Sequence, residues 1–160
     1  MRIGLLAVGR LKAGPERELA SRYTERYDAL ARRIGLHPLE VREIDESRAR
    51  RPEARRAEES KTLVAMLPPA QRLLVLDERG RHVSSAAFAQ VIAEARDAGH
   101  EALTLLIGGP DGIDEALRGR ASLVVAFGAM TWPHQLVRVL LAEQLYRAAT
   151  ILSGHPYHRA

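Results

Sequence analysis

Hydrophobic and polar positions in this chain follow two periods in turn. Arg2–Val8 (RIGLLAV) is a near-continuous apolar run, the pattern of a strand covered on both faces. Gly9 and Gly14-Pro15 punctuate it, and Pro15 suits the first turn of a helix. Over residues 16–34, Leu19, Tyr23, Tyr27, Leu30, Ala31 and Ile34 recur at three- and four-residue steps, which predicts an amphipathic helix with Gly35 at its end. Residues 38–44 (PLEVREI) alternate and predict a more exposed strand. Residues 45–52 are polar and charged, as in a surface loop, and residues 53–67 form a second helix halted by Pro68-Pro69. Residues 72–76 read as another buried strand, closed by a turn at Asp77-Glu78-Arg79-Gly80. Ser84 or Ser85 caps a helix that runs to Ala98 and stops at Gly99. Ala102–Ile107 is a strand, followed by a GGPDGI loop and a short helix to about Arg118. Residues 123–127 form the last strand and residues 134–151 the last helix.

Strands alternating with helices predict an α/β fold with a largely parallel sheet flanked by helices. At 160 residues, with no repeat or linker, one domain over residues 1–160 is expected. There is no cysteine, which excludes disulfides, thiolate metal sites and cysteine nucleophiles. The apolar run at residues 3–8 is too short for a signal-peptide core, and no stretch approaches the ~20 apolar residues of a membrane span. A cytoplasmic location with no membrane partner is the expectation.

Ligands of open α/β sheets sit beyond the carboxyl ends of strands. Three such ends carry unusual residues: Leu76-Asp77, Ile107-Gly108-Gly109-Pro110, and the run Phe127, Gly128, Ala129, Met130, Thr131, Trp132. Glycines there allow a ligand to approach the backbone closely. A GGPxG sequence alone can equally serve a tight turn, but two such loops after adjacent predicted strands point to a pocket. Walker, dinucleotide and G-x-S-x-G signatures are absent. His155-x-x-His158 offers two ligands without a nearby carboxylate, too few for a metal site, so no metal is expected.

The last helix is apolar nearly all round, so it is buried on more than one side. Its second side is either a partner subunit, giving a two-fold dimer, or the interior of a monomer. Arg138, Glu143 and Arg147 then need partners; Arg138 would pair with Glu143 or face the ligand loop.

The net charge of +4 arises within residues 1–70 and peaks in residues 48–56 (RARRPEARR). Arginine forks onto phosphate oxygens, so a nucleic-acid partner fits. Taken alone, the charge fits a solvated helix face at least as well.

LLIGGPDG, TWPHQLVRVLLAEQLYRA and HPYHR, with RIGLLAVGRLK and LLVLDERG upstream, together resemble the RlmH family. These are SPOUT-class methyltransferases acting on a pseudouridine of the large ribosomal RNA. The likeness spans the chain and is strongest in its last third. It implies a C-terminal trefoil knot, which propensity arguments cannot supply, a homodimer, and S-adenosylmethionine (SAM) as cofactor. By position it places cofactor contacts at Leu76, Gly108, Phe127, Gly128, Ala129, Met130, Thr131 and Trp132. Phe127 and Trp132 depart from a run that is more usually aliphatic. The implied reaction methylates N3 of a pseudouridine of 23S rRNA in assembled ribosomes. His134, Arg138, His155, Tyr157 and His158 are then the candidates for handling the N3 proton or its charge. The tail would complete its own site or the partner's. Residues 48–56 and Arg159 would meet rRNA phosphates. The other readings are a SPOUT enzyme acting on tRNA or another rRNA site, and a ribosome-binding factor without turnover.

Overall fold

The computed structural model describes residues 1–158. Five strands form one sheet: β1 (Arg2–Val8), β2 (Leu39–Ile44), β3 (Gln71–His82), β4 (Ala102–Ile107) and β5 (Leu123–Ala126). All neighbours run parallel, in the order β2-β1-β4-β3-β5. The helices are α1 (Pro15–Ala31), α2 (Pro52–Met66), α3 (Ser85–Asp97), α4 (Glu115–Gly119) and α5 (His134–Ser153). A 3-10 turn over Arg32–Ile34 extends α1, and Gly35 ends it with φ 73°, a left-handed backbone that glycine adopts without strain.

Period-2 alternation within buried strands assigns each side chain to one of two layers. Ile3, Leu5 and Ala7 of β1, with Leu103, Leu105 and Ile107 of β4, meet Tyr27 of α1, Phe88 and Ile92 of α3, and Leu141 and Leu145 of α5. Leu6, Val8, Val75 and Leu106 face the other way, onto Leu63 of α2 and Leu117 of α4. Every residue of β4 is buried, as a central parallel strand requires. Ser84 caps α3 by accepting from the Ala87 amide at 3.1 Å, worth about 1 kcal/mol.

Two expectations need correction. β2 does not alternate: Glu40, Val41 and Arg42 are all exposed, because β2 is an edge strand. Nor does β3 end at Leu76. It pairs Leu76 with Val125, makes an excursion over Asp77–Gly80, and pairs again, Arg81 with Val125 and His82 with Ala126. The Asp-Glu-Arg-Gly sequence resembles turn chemistry, but long-range pairing with β5 carries the strand through it.

Candidate active site

A cleft of about 830 Å³ opens beyond the carboxyl ends of β4 and β5 and beside the Leu76–Arg79 stretch of β3. β4 and β5 are not neighbours, since β3 runs between them. Leu76–Arg79, midway along β3, therefore form the cleft's centre. Leu76, Gly108, Phe127, Gly128, Met130, Thr131 and Trp132 all line it, whereas Ala129 does not.

The GGPDG loop is folded tightly enough at Gly108 to exclude a side chain there. A Cβ built on Gly108 would lie 2.6 Å from Ile113 Cγ1 and 2.9 Å from the Gly112 carbonyl carbon. The Gly112 amide donates to the Gly109 carbonyl at 2.9 Å. Asp111 at the loop's tip receives a two-pronged Arg55 fork, Nε at 2.6 Å and Nη2 at 3.0 Å. That fork holds the Asp111 carboxyl below the usual carboxylate range. Behind the loop lies Glu59, 5% exposed, which accepts from the Ser47 amide at 2.8 Å. Burial pushes its carboxyl above the usual glutamate range.

The opposite lip is residues 127–133, leading into α5. Thr131 Oγ1 donates to Glu78 at 3.2 Å, joining this lip to the β3 excursion. Trp132 Nε1 donates to the Phe127 carbonyl at 3.3 Å, and Met130 is 73% exposed. Arg118 stands 3.6 Å from Asp77 at the cleft wall. Sequence reading singles out Asp77 as a strand end but misses Glu78 and Arg118 as wall residues, and it places Arg55, which holds the loop from outside the lining, in a basic run.

Of the five proton-handling candidates, only His134 lines the cleft. Arg138 is 3% exposed and neither pairs with Glu143 nor faces the cleft. It binds Glu43 and the carbonyls of Val8 and Gly9, tying α5 to the ends of β1 and β2. Its Nε is buried without a partner. Glu143 instead accepts from Arg147 Nε at 2.9 Å and from the Tyr157 hydroxyl at 3.1 Å. Tyr157 packs against Tyr146 with ring centroids 4.6 Å apart and planes tilted by 52°, under the Arg147 guanidinium at 4.9 Å. Burial and the Glu143 charge push its phenol up to about 12. His155 Nδ1 accepts from the Tyr157 amide at 3.2 Å, and His158 Nδ1 is buried without a partner. The 20 residues of α5 separate this tail from His134 by about 30 Å along the helix axis. Arg159 lies outside the described residues.

Among the described residues no group of three or more His, Cys, Asp or Glu side chains is placed to hold a metal ion. No helix among them is long and apolar enough to cross a membrane.

A parallel sheet with a glycine-walled cleft at its carboxyl ends is a ligand-binding α/β architecture. The family model described as "Predicted SPOUT methyltransferase" matches residues 1–158, and the chain belongs to that family of methyltransferases. A ribosomal RNA large subunit methyltransferase H of Rhodopseudomonas palustris is 55% identical over 160 residues, covering all of both chains. One from Methylocella silvestris is 57% identical over 159 residues, covering 99% of each. The crystal structure of a probable methyltransferase from Bordetella pertussis Tohama I superposes with a TM-score of 0.52 at 12% identity, covering 92% of this chain and 95% of that one. That likeness concerns the fold.

Proposed function

We propose that the chain is a SAM-dependent methyltransferase of 23S rRNA that methylates N3 of a pseudouridine in the assembled ribosome, acting in the cytoplasm as a homodimer. One observation carries the reading. Seven of the eight residues at which the sequence resemblance places SAM line a single cleft, in a chain whose full-length relatives are named ribosomal RNA large subunit methyltransferase H. The cleft suits a ligand of that size, since small-molecule pockets run to about 300–1,000 Å³. Its glycine backbones offer amides and carbonyls for polar contacts. Bound SAM supplies an electrophilic methyl group.

The chain's own residues supply the rest. Leu76 and Phe127 exclude water, and the Gly108 and Gly128 backbones approach the ligand. A nucleophilic nitrogen must be held in line with the methyl carbon and sulfur, so positioning supplies most of the acceleration. The N3 proton must also leave. His134 is the titratable candidate at the cleft edge. The remoteness of His155, Tyr157 and His158 from their own cleft supports their acting on a partner subunit's site. Exposed Met130, Trp132 and Leu136 cluster where α5 begins and provide apolar surface for that partner.

Within residues 48–56, Arg55 is occupied by Asp111, whereas Arg48, Arg50 and Arg51 are exposed and available to phosphates. Neutralising those three is expected to weaken ribosome binding and flatten its salt dependence; an unchanged salt slope would remove them from the interface.

The test of the whole reading is transfer of a labelled methyl from SAM to unmodified ribosomes, separated subunits and free rRNA. Label on one pseudouridine, mainly in assembled ribosomes, is the expected result. Bound SAM with no labelled acceptor would sink the substrate assignment.

A further inference from the structure

Arg55 is the junction of three separate segments. Its Nε and Nη2 grip both Asp111 oxygens, while Nη1 donates to the carbonyls of Ala49 at 3.0 Å and Arg50 at 3.1 Å. Four of the five guanidinium N–H donors are thereby used, in the fork geometry that only arginine presents. A surface ion pair that merely attracts contributes little. This one is about three-quarters shielded on both sides and crosses 56 positions of sequence.

Its target is the tip of the GGPDG loop. Asp111 lines the cleft beside Gly108, Gly109 and Pro110. The loop's other fastenings are few: the Gly109–Gly112 bridge, and a 3.4 Å bond from Arg56 Nη1 to the Asp111 carbonyl. Glu59, one turn further along α2, ties to the Ser47 amide and lies where a Gly109 Cβ would stand 3.1 Å away. Residues 47–50, α2 and the loop are thus fastened together at two points.

We propose that Arg55 is a positioning residue of the methyl-donor cleft. It sets the GGPDG loop against α2 through Asp111 and locks the exposed arginine segment at residues 48–51 to the same frame. The inference rests on the cleft's being the SAM site. A displaced loop weakens SAM binding first, because the loop holds the donor whereas the nucleophile is carried by the acceptor RNA.

The test compares the unmodified protein with Arg55→Ala, Arg55→Lys, Asp111→Asn and the Arg55→Ala/Asp111→Asn double variant. SAM affinity is measured by calorimetry, KM and kcat by methyl transfer, and folding by thermal melting. The single variants are expected to raise the SAM Kd and KM about tenfold or more, a change of about 1.4 kcal/mol or more, with a smaller fall in kcat at saturating SAM. Arg55→Lys keeps the charge but not the fork and is expected to rescue little. The double variant is expected to bind no more weakly than either single. Unchanged SAM affinity in Asp111→Asn, or full rescue by lysine, would overturn the proposal. If Arg55→Ala fails to fold, Asp111→Asn, which preserves size, still reads the contact. Failure of the unmodified protein to bind SAM would instead overturn the functional reading beneath it.

Discussion

Gly80 lies flat against the backbone of Val125. A Cβ on Gly80 would come within 2.5 Å of the Val125 carbonyl carbon and 2.7 Å of its nitrogen. The constraint is closeness of approach, and main chain cannot rotate aside as a side chain can. Gly80→Ala must push β3 away from β5, an overpacking change that costs about 1–3 kcal/mol. A melting temperature lowered by several degrees is the expected outcome, with loss of ligand binding because the cleft floor shifts. A variant as stable as the parent would show that this crossing is loose.

Gly108→Ala acts on the cleft wall. Its methyl would meet Ile113 Cγ1 at 2.6 Å and the Gly112 backbone at 2.9 Å. The side-chain end can yield, but the backbone in so tight a turn cannot. SAM affinity is expected to fall about tenfold or more, equivalent to at least about 1.4 kcal/mol, while the far-UV spectrum is retained. Calorimetric titration of the purified variant checks it.

Glu59 gives a signed pH dependence. Burial raises its carboxyl above the ordinary 4.5, and the charges of Asp111 and Glu46 add to the shift. A raised native value means that Glu59's contribution to stability is present below 4.5 and lost as pH rises through the native value. Glu59→Gln keeps an acceptor for the Ser47 amide and turns a donor towards the neighbouring carboxylates. It is expected to raise the melting temperature at neutral pH by about 2–4 °C, as a gain of about 1 kcal/mol would in a chain of this size. If stability at neutral pH falls instead, the ionised form is needed where it stands.

The tail's docking titrates at the other end of the scale. With its phenol raised from 10.0 to about 12, Tyr157 contributes fully to docking below about pH 10. That contribution is lost as pH rises through about 12. Absorbance titration of Tyr157→Phe is expected to lack one late-ionising phenol relative to the parent. A missing step centred near pH 10 would mean that the tail is undocked in solution.

Much of the layout was readable because apolar periodicity and Gly/Pro punctuation are local. Gly35, Ser84 and Pro15 mark helix limits where the structure places them, and the six-residue apolar run ALTLLI is the fully buried β4. The failures share a cause, since each depends on a partner far along the chain. Arg138 reads as pairing with the nearby Glu143 or facing the ligand loop, but its partner Glu43 is 95 positions away. Asp77–Gly80 has the residues of a turn, and only Val125 keeps it in a strand. Arg55 lies in a run of arginines whose composition suggests phosphate, and nothing in that run discloses Asp111.

The packing of α1 along α5, with the Tyr23 and Tyr146 rings 6.3 Å apart, has a consequence for biosynthesis. α1 leaves the translating machinery with an apolar stripe that is covered by a helix more than a hundred positions downstream. β1, likewise, is flanked on one side by β4. No early fragment can bury these surfaces, and pairings so remote in sequence form slowly. Burial of these surfaces is therefore completed only after residues 134–153 are free to turn back. A nascent chain stalled before that point is expected to be sensitive to proteases and to recruit chaperones.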